Sequence, residues 1–231
     1  MSFDFEKHKN IMLKILKDIY TDTSISSSLG FKGGTAAMLF YDLPRHSVDL
    51  DFDILNLEKE DLVFAKIKDI VSKYGKITEA IIKRNNILVV ISYGEGLPQL
   101  KVEINRQQFN SSYEQKTLLG IPMLVMEKSD MFAHKLVAMY ERVGKTSRDI
   151  FDVRFFAEKG WDINKEMVEK RSGKTFSETV EECINILEKM PNSRILDGLG
   201  ELLDERQKDR TRAKLKSDTI FLLRLMLGAE N

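Results

Sequence analysis

The hydrophobic and polar positions of the chain first indicate a helix at residues 4–20. Apolar side chains recur there three and four positions apart, which is the spacing of one buried helix face. They are Phe5, Ile11, Met12, Ile15, Leu16 and Ile19. The polar stretch 24–28 ends this pattern, and a short strand is predicted directly after it, at residues 29–31.

An alternating pattern follows at residues 48–55, where Asp49, Asp51 and Asp53 are separated by apolar residues. Alternate side chains of a β-strand lie on the same face of the sheet. The segment 35–41 before this strand has helical spacing, and Pro44 ends it. The three carboxylates are therefore predicted to lie together on one face, with the apolar side chains on the other.

The remaining pattern divides the chain into a strand-rich part and a helical part. A helix is predicted at 57–74 and strands at 76–82, 86–93 and 100–105, with Asn85 and Asn86 favouring a hairpin turn. From Glu127 nearly every segment has helical spacing: 128–142, 147–158, 164–171, 175–189, 193–204 and 210–227. We predict an α+β fold, with a mixed β-sheet domain at residues 1–122 and an α-helical C-terminal bundle at residues 123–231.

Composition narrows the class of protein. The 231 residues include 36 Lys and Arg and 36 Asp and Glu, so the formal net charge is zero. This balance excludes a generally basic surface for nucleic acid but permits a local basic patch. No apolar run approaches the roughly 18 residues of a transmembrane helix, the N-terminus lacks a signal peptide, and the single Cys183 cannot form an intramolecular disulfide. We expect a cytoplasmic protein without a membrane partner.

The acidic strand and the Gly-Gly-Thr turn at residues 33–35 together indicate nucleotide chemistry. Like charges on one strand face repel unless a cation lies among them, and Mg²⁺ is typically held by carboxylates plus substrate phosphates. The glycine turn precedes a predicted helix, where backbone N–H groups can bind phosphate. Asp49 and Asp51 are therefore the predicted Mg²⁺ ligands, whereas Asp53 is interpreted as an exposed or turn-facing carboxylate and not as a third ligand.

A further carboxylate lies on a predicted neighbouring strand. In the segment 100–105 the apolar residues face the core, so Glu103 lies on the opposite face with Lys101 and Asn105. A carboxylate at this place would complete the ligand set of a two-metal site and activate a hydroxyl for in-line attack. The alternative is an ordinary solvent-facing glutamate.

These residues together resemble a known family. The sequence KGGT followed by R-x-S-x-D-L-D-F, at residues 32–52, resembles the opening motif of the nucleotidyltransferase superfamily. Within it the pattern is most similar to the AbiEii/AbiGii toxins, the toxin half of type IV toxin–antitoxin systems. KVEI at 101–104 and HKLVAMYERVGKTSRDIFDVRFF at 134–156 fit the same family in order and approximate spacing. The resemblance covers residues 28–158.

The resemblance implies a nucleotidyltransferase fold for the first domain. It implies Mg²⁺-dependent transfer of a nucleoside monophosphate (NMP) from a nucleoside triphosphate (NTP) to an acceptor hydroxyl. It also implies a growth-blocking toxin that modifies tRNA and has a cognate antitoxin encoded nearby. The family's two Mg²⁺-binding aspartates match Asp49 and Asp51, the superfamily's third acid matches Glu103, and the catalytic lysine matches Lys135.

The family also has a catalytically important aspartate in the segment that begins at Arg148, and Asp149 and Asp152 both match its pattern. Asp152 is preferred, because Asp149 lies nearer the helix start, where acids stabilise the helix dipole. The alternative for both is a salt bridge to Arg142 or Arg148. Lys135 is predicted to lay its stem along the apolar stripe of its helix, with its ammonium group projecting towards a triphosphate. The alternative is a surface lysine that covers its apolar neighbours.

Residues around the glycine turn are predicted to hold the NTP. The predicted phosphate cradle consists of Gly33, Gly34 and Thr35, where superfamily members commonly have Gly-Ser and Thr35 keeps the hydroxyl. The chain lacks a G-x-x-x-x-G-K-[ST] loop, so it is not a P-loop NTPase. Lys32 is interpreted as a phosphate contact or a surface residue. Arg45 either contacts the triphosphate or is structural, and Ser47 braces the turn or a ligand, or is structural.

Two other functions remain open from the sequence. One is an enzyme of the same fold that acts on a small molecule, as antibiotic-modifying nucleotidyltransferases do. The other is a toxin that binds a nucleotide or a partner without transferring anything.

Overall fold

The structure of the chain is a computed structural model, and it describes residues 4–95, 97–142 and 145–228. Its contacts divide the chain into two compact units, Met1–Met126 and Glu127–Asn231. The predicted domain boundary at residue 122 lies in the last strand of the first unit. Within the described ranges, the helices are all too short or too polar to cross a bilayer.

The first unit is built on a mixed β-sheet. Its described strands are β1 (Leu29–Lys32), β2 (Asp49–Ile54), β3 (Lys76–Ile82), β4 (Asn86–Ser92), β5 (Leu100–Asn105), β6 (Tyr113–Leu118) and β7 (Ile121–Met126). They form one sheet in the order β3-β4-β5-β2-β1-β7-β6. The pairs β1–β7 and β2–β5 are parallel, and the other neighbouring pairs are antiparallel. The predicted mixed sheet and the α+β class are confirmed.

Three helices accompany this sheet: α1 (Phe5–Thr21), α2 (Gly33–Phe40) and α3 (Glu60–Ser72). The Asp4 carboxylate caps α1 by accepting a hydrogen bond from the Lys7 N–H at 3.0 Å, which satisfies one of the free donors of a helix start. The apolar positions of the two central strands are fully or almost fully buried: Leu50, Phe52 and Ile54 of β2 and Leu100, Val102 and Ile104 of β5. The opposite face of the same strands therefore carries the acids.

The strands β6 and β7 were not predicted from the sequence. Pro122 lies within β7, and a proline normally argues against a strand because it lacks a backbone donor. Here β1 pairs with β7 only at Phe31 and Val125, so Pro122 lies beyond that contact, next to the hairpin turn. That turn has positive φ at Leu119 and Gly120, which matches the two-residue turns that join twisted antiparallel strands.

The second unit is helical. Its described helices are α4 (Lys128–Arg142), α5 (Arg148–Glu158), α6 (Lys165–Ser172), α7 (Phe176–Lys189) and α8 (Glu205–Gly228). α4 contacts α5, α6 and α7, and α8 contacts α5 and α7. A capping box of Thr175 and Glu178 begins α7, and such boxes satisfy two free backbone donors reciprocally. The predicted helical bundle is confirmed.

One predicted helix of this unit is wrong. Residues 193–204 form turns with short 3₁₀ segments at Asn192–Arg194 and Gly200–Leu202. Gly198 has a φ of +64°, a left-handed conformation that glycine adopts readily and that interrupts a right-handed helix. The apolar spacing of this stretch therefore reflects the buried side chains Ile195, Leu199, Leu202 and Leu203 of an irregular segment and not a helix face.

The only cysteine of the chain, Cys183, is buried in α7. Burial, and to a smaller extent the charge of Glu182, raises the pKa of its thiol to about 12. The thiolate, which is the reactive form, is therefore scarce at neutral pH.

Candidate active site

The acids of the first unit lie on one face of two parallel strands. In the register of β2 and β5, Asp51 is the partner of Glu103, Asp49 of Lys101 and Asp53 of Asn105. Partners on neighbouring strands share a face, so Asp51 and Glu103 are adjacent there. Asp49, Asp51 and Glu103 are each half-buried. Two separate chain segments thus contribute carboxylates to one surface.

The glycine turn between β1 and α2 packs directly against this surface. A Cβ atom on Gly33 would lie 2.3 Å from Asp51 Oδ2, and the φ of Gly33 is +79°. A Cβ atom on Gly34 would lie 2.7 Å from Arg45 Nη2 and 2.8 Å from Ser47 Oγ. A Cβ atom at either position would force these side chains to shift, and at Gly33 the left-handed backbone also favours glycine. The predicted cradle and the predicted metal ligand Asp51 are therefore in immediate contact.

Thr35 ties α2 to the acidic strand. Its side chain is fully buried, and its Oγ1 donates a hydrogen bond to the Asp49 carbonyl oxygen at 2.5 Å. This hydroxyl therefore supports the backbone of a predicted metal ligand. A direct role of Thr35 in holding phosphate stays a prediction.

Arg45 and Ser47 are buried next to the glycine turn. Their residues are 5% and 7% exposed, and Arg45 Nη1 donates a hydrogen bond to the His46 carbonyl at 2.8 Å. Both side chains lie where they can support Gly34 or meet a phosphate bound by it. Both interpretations made from the sequence stay open on this geometry.

Asp53 is not the exposed carboxylate expected from the sequence, because it is 6% exposed. Lys32 Nζ lies 2.5 Å from Asp53 Oδ1, Asn105 Nδ2 donates to the same oxygen at 2.7 Å, and Tyr113 Oη donates to Oδ2 at 2.5 Å. Burial opposes ionisation, but the charge of Lys32 and these three hydrogen bonds outweigh it and hold the pKa of Asp53 below its usual range. Asp53 and Lys32 therefore form a buried ion pair.

Asn86 is a site residue that sequence reasoning missed. Its Nδ2 donates a hydrogen bond to Glu103 Oε1 at 2.6 Å, which restricts the orientation of the carboxylate. The sequence indicated only a turn at Asn86. The contact depends on the register of β4 against β5, in which Leu88 is the partner of Glu103, and no local pattern specifies that register.

The carboxylate surface has a donor set suited to a hard cation. No group of three His, Cys, Asp or Glu side chains that could hold a metal ion occurs among residues 4–95, 97–142 and 145–228. Mg²⁺ does not require such a cage, because it is usually bound through one or two carboxylates plus substrate phosphates and water. Asp49 and Asp51, beside the glycine turn, fit that mode of binding.

A second group of predicted site residues lies within the helical unit. Lys135 Nζ of α4 is 2.7 Å from Asp152 Oδ2 and 3.1 Å from Asp149 Oδ1, both of α5. Arg142 Nη2 lies 2.8 Å from Asp149 Oδ2. Asp149 and Asp152 are buried. The salt bridge to Arg142, given as an alternative from the sequence, is present for Asp149. The ammonium group of Lys135 was expected to project from its helix, but it lies between the two carboxylates.

This second cluster had a signal in the sequence. A short connection between two predicted helices makes them antiparallel neighbours, so residues at similar distances from the connection meet. Arg142 and Asp149 satisfy that condition, because they lie at the end of α4 and the start of α5. Lys135 lies further from the connection than Asp152 does, so the rule does not single out their contact. The salt bridge of Asp149 to Arg142 was one of the alternatives read from the sequence, whereas the contacts of Lys135 with the two aspartates were not predicted.

Comparison with known proteins gives this arrangement its family. The family model for the nucleotidyl transferase AbiEii toxin of type IV TA systems matches residues 14–221. The solved structure of a candidate nucleotidyltransferase from Helicobacter pylori has 20% sequence identity and a TM-score of 0.58, with 100% of each chain covered. JHP933 from Helicobacter pylori has 19% identity and a TM-score of 0.57, with 100% of this chain and 96% of that chain covered. No match was found among curated proteins.

The two kinds of similarity carry different weight. At these identities the solved structures show a shared fold, and they share it over the full length of this chain. The family model includes β1, α2, β2, β5, α4 and α5, which contain every predicted site residue apart from Arg45 and Ser47. Those two residues lie in the loop before β2, which the model also includes. The resemblance seen in the sequence is confirmed, and the chain belongs to the AbiEii nucleotidyltransferase toxin family of type IV toxin–antitoxin systems.

Proposed function

We propose that this nucleotidyltransferase transfers an NMP from an NTP to a hydroxyl group of tRNA, with Mg²⁺, and thereby blocks growth until its cognate antitoxin is present. The observation that carries the proposal is the register that sets Glu103 beside Asp51, with Gly33 packed against Asp51. The carboxylates proposed to bind the metal, the carboxylate proposed to deprotonate the acceptor and the backbone N–H groups proposed to bind phosphate then lie on one surface.

Each group has a defined part in this reaction. The acceptor oxygen bonds to the α-phosphorus, the bond from that phosphorus to the oxygen bridging to the β-phosphate breaks, and pyrophosphate leaves. Glu103 receives the proton of the acceptor hydroxyl, and its hydrogen bond from Asn86 orients it. The N–H groups of the turn at residues 33–35 bind phosphate oxygens. Positioning and charge neutralisation supply most of the rate acceleration.

Asp49 and Asp51 are the residues that would hold Mg²⁺. The bound ion would neutralise phosphate charge and lower the barrier to attack. Lys32 and Arg45 are further proposed phosphate contacts. In one form of this proposal, Lys32 leaves Asp53 and binds a phosphate oxygen. In the other, Lys32 stays paired with Asp53, and the turn at residues 33–35 and Arg45 bind the phosphates.

Lys135 is proposed as the catalytic lysine on the family match. Asp152 is the proposed functional aspartate, because its buried carboxylate is closer to Lys135 Nζ, at 2.7 Å, than that of Asp149, at 3.1 Å. Asp149 is in addition close to Arg142, which fits a structural role at the start of α5. The two aspartates are therefore distinguishable by substitution.

The proposal is tested by incubating the protein with each labelled NTP in turn, Mg²⁺ and total RNA. We expect label in the tRNA fraction. Asp51→Asn should reduce incorporation by about 100-fold or more, since it removes charge stabilisation of the kind that costs 10²–10³ in rate when lost. The melting temperature of the variant should stay close to that of the wild type.

Asp69→Asn is the matched control, because Asp69 is an exposed acid of α3 and should not affect transfer. Equal incorporation by the Asp51→Asn and wild-type proteins would refute the metal assignment. Label in a small molecule and not in RNA would favour the antibiotic-type enzyme. Retention of NTP without any labelled product would favour a toxin that only binds.

A further inference from the structure

We propose that His8 is a positioning residue for this reaction, which holds the backbone on one side of Asp49 so that its carboxylate faces the metal. The inference rests on the proposed function. His8 belongs to α1 and lies before residue 14, where the match to the family model begins.

His8 connects three separate parts of the first unit. Its side chain is fully buried. Nε2 lies 2.7 Å from the Val48 carbonyl oxygen, directly before β2, and Nδ1 lies 2.5 Å from Tyr93 Oη, directly after β4. A buried histidine with a defined partner on each ring nitrogen is held in one orientation.

These partners determine the tautomer of the ring. A carbonyl oxygen only accepts hydrogen bonds, so Nε2 must carry the proton, and in the neutral ring Nδ1 is then an acceptor. The Tyr93 hydroxyl accordingly donates to Nδ1. Burial lowers the pKa of His8, against the opposing effects of the Val48 hydrogen bond and the charge of Asp49, which agrees with a neutral ring at pH 7.

The Val48 contact matters because of what lies on the other side of Asp49. The Val48 carbonyl belongs to the peptide unit before Asp49, and the Asp49 carbonyl belongs to the one after it. Thr35 Oγ1 donates to the Asp49 carbonyl at 2.5 Å. Both peptide planes that flank the Asp49 Cα atom are thus held by buried side chains, His8 from α1 and Thr35 from α2, and this fixes the direction of the Cα–Cβ bond.

A second contact of α1 supports the same segment. Phe5, one turn before His8, packs on His46 with ring centroids 3.6 Å apart. α1 therefore contacts the loop before β2 on both sides of Ser47. The two contacts of α1 with this loop, Phe5 with His46 and His8 with Val48, are additional to its packing on the apolar core.

The test compares His8→Leu, His8→Gln and Tyr93→Phe with a matched core control, Met12→Ala. Met12 is one turn further along α1 and is 1% exposed, so its truncation lowers stability while His8 and its hydrogen bond to Val48 stay in place. Two quantities are measured in each variant: binding of Mn²⁺, as a probe of the carboxylate surface, by calorimetry, and kcat and KM of NMP transfer.

His8→Leu should weaken Mn²⁺ binding and lower kcat, each by about tenfold or more, as is usual when residues that orient metal ligands are lost. The KM for NTP should change little. His8→Gln, whose amide can donate to Val48 and accept from Tyr93, should recover most of both values. Tyr93→Phe, which keeps the Val48 contact, should shift them in the same direction by a smaller factor.

A His8→Leu protein that loses stability to the same extent as Met12→Ala, with unchanged Mn²⁺ binding and kcat, would overturn the proposal. The other variants decide the outcome if His8→Leu does not fold. In that case the proposal is overturned if His8→Gln also fails to fold and Tyr93→Phe has the Mn²⁺ binding and kcat of the wild type. Weaker Mn²⁺ binding in His8→Leu, in a wild-type protein that transfers no NMP, would support the positioning role while refuting the proposed function.

Discussion

At the scale of single residues, Lys32 and Asp53 show how pairing of strands brings two opposite charges together as an ion pair inside the fold. Asp53 keeps its charge although it is buried, because Lys32, Asn105 and Tyr113 all contact it. Removal of one member of such a pair leaves an uncompensated charge, which is strongly destabilising. The pair can therefore be tested by stability measurements alone.

Lys32→Met should lower the free energy of unfolding at pH 7 by about 3 kcal/mol, at the low end for a broken buried pair because Lys32 is still 19% exposed. Lys76→Met, at an exposed position of β3, is the control and should change it by about 0.5 kcal/mol or less. Urea unfolding of both variants measures the difference. A loss in Lys32→Met no greater than in the control would contradict the buried pair.

The same carboxyl group predicts a pH dependence. The folded pKa of Asp53 is below its usual value, so the unfolded chain binds more protons, and the stabilisation is present above the unfolded pKa of about 3.9 and lost as pH falls through the folded pKa. In Lys32→Met the cation and its hydrogen bond are gone, so the pKa of Asp53 rises and the variant should lose less stability than the wild type between pH 7 and pH 3. Urea midpoints at the two pH values check this.

The sequence was sufficient to predict which face these acids share, because alternation along a strand is local. It was not sufficient to predict that Asp53 is buried. Lys32 reaches Asp53 only because β1 pairs with β2, with Lys32 opposite Asp51, and Tyr113 reaches it from a strand that was not predicted. Contacts of Asn86 and His8 have the same origin, since both depend on which strands and helices become neighbours.

At the scale of elements, the packing of α4 on α5 brings opposite charges from two helices into contact. Lys135 lies between Asp149 and Asp152, and its own side chain is 13% exposed. The helices themselves were predictable, since their apolar spacing is regular. The strands β6 and β7 were not, because a proline and an exposed edge weaken the strand pattern, and the apolar spacing at 193–204 suggested a helix that Gly198 interrupts.

Lys135→Met should lower the free energy of unfolding by about 3 kcal/mol or more, because two buried carboxylates would lose their shared cation. Lys214→Met, at an exposed position within α8, is the matched substitution and should be nearly neutral. Thermal and urea unfolding of both proteins measure the effect. A stability equal to that of the control would mean that the cluster of Lys135 with Asp149 and Asp152 is not formed in solution.

At the scale of the whole molecule, the family match and the similar solved structures include both units. The match covers residues 14–221, and each solved structure aligns with all of this chain. The first unit has its own sheet and apolar core, whereas the lysine and aspartates proposed for catalysis at Lys135, Asp149 and Asp152 belong to the second. We therefore assign the activity to the complete chain.

A protein truncated after Met126 should consequently fold but fail to transfer NMP. Circular dichroism should show the β-sheet and helix content of the first unit and a cooperative thermal transition, since a domain of this size can bury a core of its own. The labelled-NTP assay should give no incorporation above background. Transfer by the folded truncated protein at the rate of the full chain would refute a catalytic role for the helical unit.

The buried thiol of Cys183 has a practical consequence for spectroscopy. With a pKa of about 12 it will not compete for maleimide or nitroxide reagents at neutral pH, where only accessible thiolates react. A cysteine introduced at an exposed position of each unit can therefore carry a fluorophore or spin label without first replacing the native one. A label on each unit would then report the response of that unit as NTP and tRNA are added.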